Sequence, residues 1–241
     1  SESLVIVQAV GSTVNESERG YGRSVTARIS GWLKELGIRH RVVTDDEVIS
    51  GGLRNASVAV LGYIPHPSAR ELRVLQKFTE RGGRLIVCYG TDPNLAALMG
   101  VRLGAYRVAD RPGRWSAFRF GRSAPAHVPV RAAQNSGNIY TAFPADDSTR
   151  VIAVWEDASG RESADPAWLQ GPQGFWMTHV LLDGDTRAKE QTLLALIGTL
   201  APEAWPMAAQ RCLHTAGQVG PYTNFVAALQ GIGTHASATP A

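Results

Sequence analysis

The chain of 241 residues carries only two cysteines, Cys88 and Cys212, and three methionines. Two thiols so far apart match no metal-ligand spacing and no disulfide framework. Charge of one sign is also scarce: 24 Lys and Arg stand against 21 Asp and Glu, a net +3. An excess that small does not argue for nucleic acid, because only clustering would make it an electrostatic footprint. No apolar run approaches the roughly 20 residues of a membrane span. There is no Gly-x-Gly-x-x-Gly, no phosphate-loop lysine and no internal repeat. An initiator Met and a basic-then-apolar leader are missing from the opening "SESLVIVQAV". The expectation is therefore a mature or excised segment.

What is present is an alternation of apolar runs and helical stripes. "LVIVQAV" (4–10) is continuous, as a strand covered on both faces would be. Val25, Ile29, Trp32, Leu33 and Leu36 then line one face of a helix, which Gly37 stops. In this reading Gly20, Tyr21 and Gly22 belong to the loop before that helix. "RHRVVTDD" and "ASVAVLGYI" read as the second and third strands. Ser68 caps a helix whose buried face is Leu72, Leu75 and Phe78 or Thr79, and "RLIVCY" is the fourth strand. Strands and helices of this length imply parallel crossovers, hence an open α/β sheet with helices on both faces.

The rhythm changes further on. "WSAFRFG", "AHVPVRAA", "NIYTAF", "RVIAVWED" and "FWMTHVLL" are short, β-rich and separated by turn residues. They predict an antiparallel extension over about 112–182 within a domain spanning 1–205. A helix follows over Thr186 to Leu200, with Asp183 and Asp185 at its positive end. Residues 206–241, rich in Ala, Gly and Thr, read as a tail or linker with one helix near 222–230.

"GGRLIVCYG" resembles the nucleophile segment of class I glutamine amidotransferases, where a strand runs into a tight Gly-x-Cys-x-Gly elbow. "GFWMTHVLLDGD" before a long helix resembles that family's closing segment, in which His-Pro-Glu follows a strand. The resemblance implies a flavodoxin-like fold and places Cys88 on the nucleophile and His179 on the base, a cysteine hydrolase or amidotransferase. The chain departs from the pattern twice. Ile86 fills the crowded position two residues before the cysteine, and Leu181 stands where a carboxylate would orient the imidazole; Asp183 lies two residues beyond. The bland alternative is a buried Cys88 and a satisfied His179, with no catalytic residue.

Over roughly residues 4 to 205, the order of elements through "LAALMGVRLGAYR", the β-rich stretch and "LAPEAW" is also similar to the amidotransferase-like domain in front of family-10-like glycoside hydrolases. That resemblance implies a non-catalytic accessory domain serving ligand binding, packing or oligomerisation. The implied partners are carbohydrate, a hydrolase barrel domain or a second copy, and the implied location is secreted or periplasmic.

"GSTVNESERGYGRS" follows the first strand, where doubly wound folds bind ligands, and Ser12, Thr13 and Asn15 give it the look of an FMN or nucleotide loop. A rim loop carrying Tyr21 is the plainer reading, and no cofactor is expected. Among Trp155, Trp168, Phe175 and Trp176, Trp168 beside Pro166 is the one expected at the surface, where its ring could meet a sugar. His66, between two prolines at a strand end, and Tyr89, beside Cys88, complete the candidate ligand-binding residues with Tyr21 and Trp168. Asp45-Asp46-Glu47 and Asp183-Gly184-Asp185 read as a turn and a helix cap rather than a metal site. The arginines between Arg102 and Arg131 read as a solvated face.

Overall fold

A computed structural model describes residues 3–217, 220–223 and 225–237. In chain order the elements are β1 (Leu4–Gln8), α1 (Glu16–Glu35), β2 (Arg41–Thr44), α2 (Asp45–Ile49), β3 (Val58–Leu61), α3 (Ala69–Glu80), β4 (Arg84–Cys88) and α4 (Pro93–Leu98). Then come β5 (Val101–Val108), β6 (Trp115–Phe120), β7 (Arg131–Ser136), β8 (Asn138–Pro144), β9 (Arg150–Glu156), β10 (Glu162–Gly171) and β11 (Gly174–Met177). Three helices follow: α5 (Thr186–Leu200), α6 (Ala204–Thr215) and α7 (Phe225–Ser237).

Nine strands form one mixed sheet in the order β2-β1-β3-β4-β11-β10-β9-β6-β7, and β5 pairs with β8 in a second sheet. The first five are parallel and the remaining pairings antiparallel. The expected α/β architecture is therefore present, and the β-rich stretch largely prolongs the same sheet.

Alternation along the strands builds two cores. Leu4, Ile6, Val58, Val60, Ile86 and Cys88 face α1 and α5. Val5, Val7, Ala59, Leu61, Leu85 and Val87 face α2, α3 and α4. The β3 and β4 strands are buried on both faces, which is why they read as unbroken apolar runs.

Several boundaries differ from expectation. Helix α1 starts at Glu16, so Gly20, Tyr21 and Gly22 lie inside it. Asn15 accepts a hydrogen bond from the Glu18 amide, and Glu16 and Glu18 sit at the positive helix end. Gly22 is there for closeness rather than for a turn: a Cβ would lie 3.3 Å from the Ala9 Cβ and 3.4 Å from its carbonyl oxygen. Strand β10 is unforeseen because Pro166 interrupts its sequence. A central strand admits the proline because its register with β9 shifts on both sides of it. Trp168 is consequently not a surface residue. It is wholly buried against Phe118, with its indole N–H unpaired.

The expected tail over 206–241 contains most of α6 as well as α7. Ala204 and Ala208 of α6 are buried, and Trp205 packs against Gly198 of α5. Five of the seven arginines from Arg102 to Arg131 are engaged in ion pairs, Arg119 and Arg131 both with the buried Glu156. That stretch is a paired surface rather than a free basic one.

Candidate functional site

In a doubly wound sheet, ligands meet the carboxyl ends of the parallel strands where the strand order reverses. Here that edge is built by the loops after β1, β3, β4 and β11, with residues of β5, β7 and β8 packed across them.

Cys88 is the last residue of β4, and its side chain lies on the core face with Ile86 and Met177. It is 1% exposed. Burial pushes its thiol up to about 12, so it carries its proton at neutral pH. The residue in the left-handed conformation is the next one, Tyr89, at φ +53°. Such a backbone costs a bulky side chain on the order of 1–2 kcal/mol. The surroundings hold it: the Tyr89 amide donates to the Met177 carbonyl at 2.9 Å, and its hydroxyl donates to Asn138 Oδ1 at 2.9 Å. Gly90 then lets the chain pass Trp176, since a Cβ there would lie 2.2 Å from the indole. The elbow of this chain thus presents a phenol.

His179, just past β11, meets Tyr89 edge to face with ring centroids 5.1 Å apart. It is 6% exposed, and burial lowers it to about 4, so the ring is neutral. Ser136 Oγ lies 2.9 Å from Nδ1, and the Gln134 amide nitrogen also reaches that atom. No hydrogen bond among the described residues joins His179 to Cys88. The positions after the histidine behave as their residue types dictate. Leu181 is buried, whereas Asp183 is exposed and pairs with Arg28 at 2.7 Å. The imidazole is therefore oriented by a serine and a glutamine from β7, not by a carboxylate.

Tyr63, at the end of β3, stacks on Tyr89 at 6.5 Å and 14°, and Tyr21 of α1 meets Tyr63 edge-on at 5.0 Å. Tyr106 and Tyr140, opposite each other on β5 and β8, complete the surround. Burial, then the phenols of Tyr106, Tyr63, Tyr21 and Tyr140, oppose ionisation of Tyr89. Five of the chain's six tyrosines thus gather at one edge. His66 stands on the rim, 3.6 Å from Glu18. Among the six candidates, Tyr21 and Tyr89 meet through Tyr63, His179 joins them, and His66 borders them. Cys88 and Trp168 point into cores instead.

The loop after β1 also departs from expectation. The amides of Val10, Gly11 and Ser12 all donate to the Asp45 carboxylate, at 3.1, 2.9 and 2.8 Å. Asp45 is 1% exposed and sits in the cradle that a phosphate would use. The FMN or nucleotide reading loses its anion seat to this side chain, although the loop does cap its helix. Beside it, Glu71 is buried with Oε1 unpaired, and burial together with Asp45 and Asp46 raises it to about 8.

Tyr63, Ser136, Gln134 and Asn138 are not among the sequence-based candidates. Tyr63 is discoverable, because it closely follows a parallel strand. The other three reach the site through long-range pairing of the β-rich region, which leaves no local signal.

No protein-family model matches the chain, and no curated protein matches it in sequence. Solved structures do. A ThuA-like protein from Bacteroides uniformis superposes with TM-score 0.61 at 10% identity, over 83% of this chain and 91% of its own. The β-galactosidase from Rahnella sp. R3 gives 0.59 at 12% identity, over 83% of this chain and 31% of the enzyme. A GMP synthase-type protein from Thermoplasma acidophilum gives 0.52 at 15%, over 85% and 97%. The fold is thus that of the glutamine amidotransferase-like domains, some of which stand alone and some within glycoside hydrolases. The chain spans about a third of the β-galactosidase it matches.

Proposed function

We propose that this chain is a non-catalytic, amidotransferase-like accessory domain of a carbohydrate-active, glycoside-hydrolase-type protein, serving ligand binding or packing. The observation that carries the reading is the elbow: Tyr89 holds the left-handed position and Cys88 lies in the core with a protonated thiol. A cysteine hydrolase needs the reverse, an accessible thiolate within reach of an imidazole. His179 is neutral and committed to Ser136 and Tyr89. The likeness to a β-galactosidase domain supports the carbohydrate context.

Alkylation of the native protein with iodoacetamide, followed by mass spectrometry, tests this. The exposed Cys212 provides an internal standard. Modification of Cys212 with Cys88 protected until denaturation is the expected result. Rapid labelling of Cys88 at neutral pH, slowed in His179→Ala, would restore the hydrolase reading and overturn this one.

A further inference from the structure

The tyrosine row has the chemistry of a particular ligand class. Tyr21, Tyr63 and Tyr89 lie in sequence along the carboxyl edge, with Tyr106 and Tyr140 beside them. Tyr21 is 38% and Tyr106 54% exposed, while Tyr63, Tyr89 and Tyr140 are half-buried. Their rings offer apolar surface, and their hydroxyls offer donors and acceptors that stay neutral; burial pushes Tyr63 up to about 12. Asn138 spends its Oδ1 on Tyr89 and keeps its amide NH2 group as a donor.

Charge near the row is either spent or of the wrong sign for an anion. Arg28 is held by Asp183 and the Leu181 carbonyl, and His66 by Glu18. Glu18 also borders Tyr63, and the amides that could hold phosphate are filled by Asp45. A phosphorylated or carboxylated ligand would meet Glu18, and Arg28 and His66 nearby are already paired. A ring with a C–H face and equatorial hydroxyls would meet aromatic planes and neutral hydrogen-bonding groups.

We propose that Tyr21, Tyr63 and Tyr89, with Asn138, form a binding site for a neutral carbohydrate. The backbone that presents them is preorganised: Tyr89 is fixed by bonds to Met177 and Asn138, and Gly22 lets α1 approach the edge closely enough to place Tyr21 on Tyr63. The proposal rests on the accessory-domain reading, because it treats this edge as a place where a ligand is held and not as the mouth of a cysteine active site.

Saturation-transfer NMR of the whole chain with lactose, cellobiose and maltose at millimolar concentration tests it. Transfer to the ring C–H protons of at least one sugar is expected. It should weaken about tenfold in Tyr63→Leu, and markedly in Tyr21→Ala, whose exposed position leaves folding intact. No transfer to any of the three, or transfer unchanged in both variants, would overturn the site. The two readings fail separately: a reactive Cys88 sinks the accessory role whatever the sugars do, whereas silent sugars with an inert Cys88 sink only the site.

Discussion

The two halves of the large sheet are built by different rules. In the parallel half, β1, β3, β4 and β11 are sealed between helices, so their side chains are apolar apart from Gln8 and Arg84 at strand ends. In the antiparallel half, burial alternates or drifts, register shifts occur in two pairings, and stability comes from large aromatics and paired charge. Trp155 illustrates the second rule. It is fully buried, and its indole donates to Thr178 Oγ1, which in turn donates to the Pro166 carbonyl. One side chain thereby fills a core and ties β9, β10 and the end of β11 together. The candidate site lies at the edge of the parallel half: Tyr63 and Tyr89 follow parallel strands, Ser136 comes from β7 of the antiparallel half, and Asn138 comes from β8 of the separate two-stranded sheet.

The largest effect is expected at Trp155. Trp155→Ala should cost about 3–5 kcal/mol in urea unfolding, from lost burial and the lost indole-to-Thr178 hydrogen bond. A cost under about 1 kcal/mol would mean that the antiparallel half folds without this anchor. Asp45→Ala comes next, because it strips the carboxylate from three amides. A loss of about 2–3 kcal/mol is predicted, and thermal melting would read it. In the same loop, Asp45 is an internal replacement for an anion, so wild-type stability should not respond to added phosphate.

Cys88→Ser should cost about 1–2 kcal/mol, since it places a hydroxyl among Ile86, Met177 and their neighbours without a partner. Cys88→Ala should cost less, a contrast that an exposed nucleophile would not show.

Two buried titratable groups act in opposite directions with pH. Glu71 rises from 4.5 to about 8 on folding, so the native state holds its proton more tightly and stability falls as pH climbs through that window. Glu71→Gln should flatten the fall and leave the variant more stable than wild type near pH 8. His179 drops from 6.5 to about 4, so its contribution is lost as pH falls from 6.5 to 4, and His179→Gln should remove that slope. Unfolding midpoints measured across the range from acid to mildly alkaline pH would separate them. The smallest effect belongs to Tyr21→Ala, within about 0.5 kcal/mol of wild type, as fits a ring on the rim.

The same contrast explains what the sequence discloses. Strands β1, β3 and β4 announce themselves because sealed parallel strands leave no polar face to confuse the pattern. The helix at Thr186 is legible from its stripe, although Asp185 makes no side-chain cap and instead accepts the Ala133 amide. The sequence places the start of α1 too late because Gly20 and Gly22 look like loop, although Gly22 is demanded by closeness to Ala9. Strand β5 escapes notice because Gly104 and exposed arginines break its alternation, and β10 because Pro166 resembles a loop; that same proline misplaces Trp168 at the surface. At the site, Cys88 attracts attention by its chemistry, while the conformation that makes an elbow falls one residue later. Only the backbone shows that, for nothing in "VCYG" says which residue turns left-handed. Asn138 and Ser136 are illegible because their partners lie 49 and 43 residues away in sequence.

The central claim is that the elbow is a tyrosine locked from the parallel half onto the second sheet, through Asn138 of β8. A double-mutant cycle with Tyr89→Phe and Asn138→Ala, read by urea unfolding, tests it most directly. A coupling energy of about 1 kcal/mol is predicted, the size of a half-buried hydroxyl-to-amide hydrogen bond. Costs that simply add, with no coupling, would mean that Tyr89 is not held by Asn138 and that the second sheet takes no part in fixing the elbow.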